Sequence, residues 1–279
     1  MPTSNGKIEQ LAAQLRELSE ELAAAQASEL AAPRARRVRD TISEAYEKLR
    51  KVIEDLDPVK HPSFVFDPSN PHIAGRVAGI TMIAQTRRPL ANVDHFYGSG
   101  VYAIYYSGKF PAYEAISGRE HPIYVGKADP ADRKSKTVVE QGDRLSGRLN
   151  EHRKNIAKAE TTLLLEDFEY RALVVQTGWQ DAAETHLIDL FKPIWNNEVG
   201  ICYGFGKHGD SPETRANMRS PWDTLHPGRD WAHRDPKMRD ARPAARIIED
   251  IAQHLAKHPP LASIDEILRR FLEEMRAAS

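Results

Sequence analysis

Phe96-Tyr97-Gly98-Ser99-Gly100-Val101-Tyr102-Ala103-Ile104-Tyr105-Tyr106, closed by Ser107-Gly108-Lys109 and answered by Pro122-Ile123-Tyr124-Val125-Gly126-Lys127, is the stretch whose reading decides the fold. Aromatic and β-branched residues bounded by glycines read as strands, and Ser-Gly-Lys is turn chemistry. Side chains alternate along a strand, so Tyr102 shares a face with Ile104 and Tyr106, while Val101, Ala103 and Tyr105 point the other way. Tyr124 likewise opposes Ile123 and Val125. Each strand therefore carries a tyrosine beside a glycine.

Downstream, a helix is expected from about Val138 to Ala159, with Leu145, Leu149 and Ile156 as its apolar stripe and Arg144, Arg148 and His152 recurring every four residues along a flank. A basic solvent face is the plain reading of that flank. A third strand is expected over Phe168–Val175, then a helix over roughly Gln180–Phe191. In that helix Glu184, Leu187, Ile188 and Phe191 stand at i, i+3, i+4 and i+7, which puts a carboxylate on the apolar face. Such a group is costly without a cation, metal or donors. A first-turn glutamate favoured by the helix dipole is the alternative. Pro193 stops the helix, and Asn196-Asn197 begin a loop.

Upstream, residues 7–55 read as two amphipathic helices divided at Pro33, with stripes Ile8, Leu11, Leu15, Leu18, Leu22 and Val38, Ile42, Tyr46, Leu49, Ile53. They carry no chemistry and suit packing on the main domain or pairing with a second subunit. Small residues in Ile73–Ala84 let a helix approach a neighbour closely, and Arg87-Arg88 follow, read either as DNA contacts or as exposed surface. At the other end Pro243 begins a helix with Ile247, Ile248, Ile251 and Leu255, and Ser263-Ile264-Asp265-Glu266 is a capping box opening the last helix. The resulting division is 1–58 helical extension, 59–95 pre-core segment for DNA contact or dimerisation, 96–200 core, 201–242 basic segment, and 243–279 helical pair.

The 279 residues carry a net charge of −1, so a polyanion partner is not announced globally. Basic residues are instead concentrated in Lys127–Lys158 and Lys207–Arg242, which suits a central nucleic-acid groove as well as a solvated surface. A single cysteine, Cys202, excludes an internal disulfide and reads as a small buried residue. No run approaches the roughly 20 apolar residues of a membrane span, and a cytoplasmic protein is expected.

Gly100-Val101-Tyr102 and Tyr124-Val125-Gly126 resemble the paired signature of the GIY-YIG nucleases, with valine for isoleucine in both. The resemblance covers roughly residues 96–200 and adds, in the family's order, Arg148 and His152 on the helix after the hairpin, Glu184 on the next, and Asn196 in the loop beyond. An arginine followed four residues later by histidine resembles the restriction-endonuclease branch. Gly204-Phe205-Gly206-Lys207-His208 and the stretch Ser220–Trp231 resemble the tail of Type II enzymes that cut CCGCGG. The resemblance implies an α/β (α+β) fold: a three-stranded antiparallel sheet flanked by helices, with helical extensions at both ends.

It also implies the hydrolysis of double-stranded DNA by a Type II enzyme. Glu184, the only carboxylate in the set, would bind one Mg²⁺ per active site, with Mn²⁺ as a substitute. Arg148 would clamp the scissile phosphate. Tyr102 would act as base if Arg148 and Lys127 favour its phenolate, His152 would take its proton or orient the water, Tyr124 would bond the phosphate or water, and Asn196 a neighbouring phosphate or water. The choice of base among Tyr102, Tyr124 and His152 stays open. Arg215, Arg219 and Arg229 are candidates to read guanine, with Lys127, Arg87, Arg88 and Arg144 as further DNA contacts. A palindromic site implies a homodimer and a cognate DNA methyltransferase. The alternatives are a repair or mobile-element nuclease of the same superfamily, or a non-catalytic DNA-binding protein.

Overall fold

Two units partition the chain's contacts, Met1–Ser63 and Phe64–Ser279. The structure, a computed structural model, describes residues 4–25, 31–59, 67, 69–206, 218–233 and 237–277. In the first unit α1 (Ser4–Ala24) and α2 (Ala32–Leu56) fall where the apolar spacing puts them. Pro33 lies in the first turn of α2, where no intrahelical N–H donor is needed. The stripe residues Ile8, Leu11, Leu15, Leu18, Val38, Ile42 and Tyr46 are exposed.

The second unit begins with α3 (Pro71–Ile83) and a two-residue strand β1 (Arg88–Pro89), followed by β2 (Gly100–Tyr106), β3 (Tyr124–Ala128), α4 (Arg144–Lys158), β4 (Phe168–Val174) and α5 (Gln180–Phe191). The sheet order is β1-β4-β2-β3, antiparallel throughout, so the expected three strands gain a short edge strand. The central strand β2 is buried along its whole length. Its alternation separates two cores. Tyr102, Ile104 and Tyr106 join Leu145, Leu149 and Ile156 of α4 on one face, and Val101, Ala103 and Tyr105 join Leu187, Ile188 and Phe191 of α5 on the other.

Two glycine-dependent contacts position the hairpin and its cover. Gly126 pairs with Tyr102 across β2 and β3, and a Cβ on Gly126 would stand 2.5 Å from the Tyr102 hydroxyl. The tyrosine ring thus lies in space that any side chain would fill. On the far face, Gly75 of α3 abuts the backbone of Ala182 in α5, the close approach that the small residues of Ile73–Ala84 lead one to expect.

The helix expected from Val138 starts later, at Arg144. Gly142 has φ +75°, which interrupts the right-handed turn, and the buried Gln141 side chain accepts from Ser99 N and donates to Val175 O, tying the ends of β2 and β4 together.

Beyond α5 the chain enters the core again through α6 (Pro221–Leu225) and α7 (Asp230–His233), with β5 (Met218–Arg219) and β6 (Arg239–Asp240) forming a parallel pair. Phe205, Trp222 and His226 are fully buried, so much of the basic segment is core. α8 (Ala244–Lys257) lies against α6 and a 3-10 helix at Pro111–Ile116, and α9 (Ile264–Ala277) against α3. Half of the expected capping box forms: Glu266 N donates to Ser263 Oγ, while the Glu266 carboxylate accepts from Ala262 N, one residue before the cap. Among the described residues no helix is long and apolar enough to cross a membrane.

Candidate active site

The hydroxyl of Tyr102 and Nε2 of His152 are 2.6 Å apart, and both residues are 0% exposed. β2 supplies the tyrosine and the buried face of α4 the histidine. His152 thus lies on the stripe of Leu145, Leu149 and Ile156 instead of on a solvent flank. Burial drives the Tyr102 phenol well above its ordinary range, reinforced by Tyr124 and opposed by the charge and hydrogen bonding of Arg148. The Tyr124 ring stands 5.1 Å from His152 and 6.1 Å from Tyr102. Burial lifts its phenol to about 12 against the opposing charge of Arg148.

Tyr124 is half-buried and faces a cleft of about 520 Å³ that is also lined by Lys127, Arg144, Arg148, Asp129, Asp143, Glu151 and Glu184. The hairpin, α4 and α5 thus converge on one cavity. Arg148 Nη1 donates to Glu151 at 3.0 Å and Nη2 to the carbonyl of Gly206. Lys127 bonds Asp181 and lies 3.8 Å from Asp129 and 3.9 Å from Glu184. Burial works against its charge, yet these carboxylates together raise its pKa.

Glu184 is the anomalous group of the cleft. Its side chain is 23% exposed, and burial lifts its carboxyl to about 7, opposed by Lys127 and reinforced by Glu198, Asp181 and Asp129. The cleft carries four carboxylates against three basic side chains, a poor surface for a polyanion unless a cation is added. Among the described residues no cluster of three or more His, Cys, Asp or Glu side chains could hold a metal. A lone desolvated carboxylate instead fits an oxygen-preferring cation that keeps several waters and takes further oxygens from a substrate.

The structure places the remaining sequence candidates elsewhere. Asn196 is buried with its amide committed to β3: Oδ1 accepts from Val125 N at 2.9 Å and Nδ2 donates to Val125 O at 2.8 Å. It holds the strand that carries Tyr124. Arg87 is 14% exposed, pairs with Glu120 at 3.0 Å and Glu169 at 3.5 Å, and lies over the Tyr105 ring on the opposite face of the sheet. Both of its acceptors there are the protein's own carboxylates. Arg88 is exposed and pairs with Asp94.

Arg144 is exposed at the cleft, with Nε 3.3 Å from the Asp129 carbonyl. Arg219 bonds Ala232 O and Asp240. Arg229, expected to read guanine, is 2% exposed and engaged by Asp223 and by the carbonyls of Gly204 and Phe205, because it is an internal ion pair of the tail. Arg215, with Lys207 and His208, lies outside the described residues.

Sequence reasoning missed Phe205, whose ring stacks on His152, and Asp181, which holds Lys127. Asp181 left a signal, since it precedes Glu184 by three residues on one helix and so shares its face. Phe205 stood only within a stretch marked by its resemblance, and nothing there pointed to His152, because the contact bridges 53 residues of chain.

A central strand that buries one tyrosine against a helical histidine, beside a second strand that turns its own tyrosine to a cleft with an arginine and a carboxylate, is the GIY-YIG nuclease layout expected from the sequence. A family model described as the Eco29kI GIY-YIG domain matches residues 94–255. The chain belongs to that family of restriction endonucleases. No curated protein sequence matches it.

Proposed function

We propose that this protein is a Type II site-specific endonuclease that hydrolyses duplex DNA at a short palindrome with the help of Mg²⁺, or Mn²⁺ in its place. The observation that carries this reading is the convergence of Tyr124, Arg148 and Glu184 on one cleft, backed by the Tyr102–His152 pair. Glu184 would hold the cation, whose charge would offset the burial that lifts this carboxyl to about 7. The bound ion would neutralise charge on the phosphoryl oxygens.

The chain's own groups supply the rest. Arg148 is permanently charged and already turned into the cleft wall, and the scissile phosphate takes the place of the Gly206 carbonyl on its Nη2. A shift of Gly206 alone, with Gly204 and Phe205 still held by Arg229, would open the Tyr102 hydroxyl to the attacking water. A free Tyr102 phenolate is disfavoured by burial, so Tyr102 accepts a proton from the attacking water as it passes its own to His152 Nε2. Water oxygen bonds to phosphorus while the bond to the 3′ oxygen breaks, and that oxygen takes a proton from solvent in the cleft to depart as a hydroxyl. Tyr124, neutral with a pKa near 12, donates its hydroxyl to the phosphate.

A palindromic target calls for a two-fold homodimer with one cleft for each strand. The apolar stripes of α1 and α2, exposed in a single chain, supply surface that a second copy would cover. CCGCGG is the first sequence to test, on the likeness of the tail, and the protein would work in the cytoplasm beside a DNA methyltransferase protecting the same site.

The test is plasmid DNA incubated with Mg²⁺ or with EDTA and sequencing of the ends. Paired cuts at one short palindrome, lost in EDTA and in Glu184→Ala with DNA binding retained, are expected. Random nicking, or cutting governed by DNA structure, overturns the restriction reading.

A further inference from the structure

One wall of the site comes from the segment that follows α5 and its loop. The Phe205 ring lies 4.5 Å from the His152 imidazole at an interplanar angle of 21°, a stacked pair, and meets Tyr124 edge-on at 5.1 Å. Trp195 at 4.6 Å and Trp222 at 5.4 Å close around the same ring. The main chain here is gripped by one side chain: Arg229 Nη2 donates to Gly204 O at 2.9 Å and Nη1 to Phe205 O at 3.3 Å. The same guanidinium donates through Nε to Asp223 Oδ1 at 2.7 Å and lies over the Trp222 ring at 4.5 Å. Asp223 also receives the Ser220 hydroxyl.

A buried ion pair is a costly way to stabilise a fold, since apolar residues of like volume often serve as well. What a planar guanidinium adds is a fixed geometry, here imposed on two successive carbonyls. The His152 ring needs such a reference. The torsion that turns an imidazole about its Cβ–Cγ bond is broad, so α4 fixes the position of His152 but not the plane of its ring. A flat face at stacking distance does fix it.

We propose that Phe205, fixed by the Asp223–Arg229 pair, is a positioning residue that sets the plane of the His152 ring so that Nε2 meets the Tyr102 hydroxyl. The tail then contributes to the chemical step. Its catalytic consequence rests on the nuclease reading above, whereas the ring geometry does not.

The test uses the full-length protein with Phe205→Leu, Phe205→Trp and Arg229→Lys. Two quantities are read: single-turnover cleavage of duplex DNA alongside its affinity in EDTA, and the ¹⁵N signals of the His152 imidazole, assigned with His152→Gln. Leucine fills space without a flat face, and lysine keeps the charge without the fork. Both are expected to slow cleavage by roughly 10- to 100-fold at unchanged DNA affinity and to shift the His152 signals. Tryptophan, which restores a flat face, is expected to bring the His152 signals back toward wild type. His152 signals like those of wild type in Phe205→Leu overturn the proposal, whatever happens to rate or melting temperature. A wild-type protein that cuts no duplex in Mg²⁺ sinks the nuclease reading instead, and the His152 signals still decide the positioning.

Discussion

Tyr102 and His152 sit 50 residues apart in sequence and 2.6 Å apart in space, in a pocket that gives solvent no access to either. A direct hydrogen bond between a phenol and an imidazole is a path for a proton. It exists because Tyr102 is flanked across the sheet by Ala172 and Gly126, whose small size leaves the ring room to lean toward α4.

Removal of one oxygen tests that path. Tyr102→Phe is expected to lower the single-turnover cleavage rate by about 10²- to 10⁴-fold, the range for loss of acid–base help. DNA affinity in EDTA should hold. A rate within a few-fold of wild type moves the base to Tyr124.

Metal affinity should follow the Glu184 carboxyl. Only the ionised form binds a cation, and its pKa is about 7, so roughly a tenth is ionised at pH 6 and most at pH 8. The apparent Mg²⁺ requirement is therefore expected to be about tenfold higher at pH 6 than at pH 8. Calorimetric titration of the free protein at both pH values gives the number, and a pH-independent affinity refutes Glu184 as the ligand.

The same carboxyl makes a stability prediction with its own sign. Its folded pKa of about 7 lies above the ordinary 4.5, so the folded state binds the extra proton and stability falls as pH rises through that window, then levels. The loss is of order 2–3 kcal/mol. Denaturant midpoints in EDTA at pH 4.5 and 7.5 should show it in wild type and not in Glu184→Gln. A Gln variant with the wild-type slope places the titration elsewhere.

Asn196 should behave as a strand clamp. Asn196→Ala strips partners from both the N–H and the C=O of Val125 in a buried place and is expected to cost about 2–3 kcal/mol by urea unfolding. Unchanged stability with lost cleavage would instead return it to the substrate.

Arg87 and Arg144 separate ion pairing from DNA contact. Arg144→Ala is expected to reduce the slope of log affinity against log salt by about one phosphate contact, with little effect on melting. Arg87→Ala should do the reverse, lowering stability by about 1–2 kcal/mol through loss of Glu120 and Glu169 and leaving the salt slope alone. Fluorescence anisotropy across a salt series and thermal melts distinguish the two.

Local pattern made much of this legible. Alternation along Gly100–Tyr106 assigns each side chain to its face, and the i, i+3, i+4 spacing in α5 puts the Glu184 carboxylate at the start of the apolar face. Errors arose where long-range contacts outrank local ones. His152 reads as a flank position by periodicity, yet lies in the core because Tyr102 and Phe205 cover it. Arg229 reads as an exposed base in a charged stretch, yet is interior because Asp223 neutralises it and two carbonyls accept its remaining donors.

By itself, then, the sequence determined the three long strands, the long helices apart from the start of α4, and the order of the site's residue types, because short-range sterics and the periods of helix and strand are written in neighbouring residues. The tertiary structure alone decided which arginines face the cleft, that Asn196 serves β3, and that Phe205 lies on His152. Those outcomes depend on which buried charge finds a partner and which ring finds a flat neighbour, and both are settled by segments that meet only when the chain has folded.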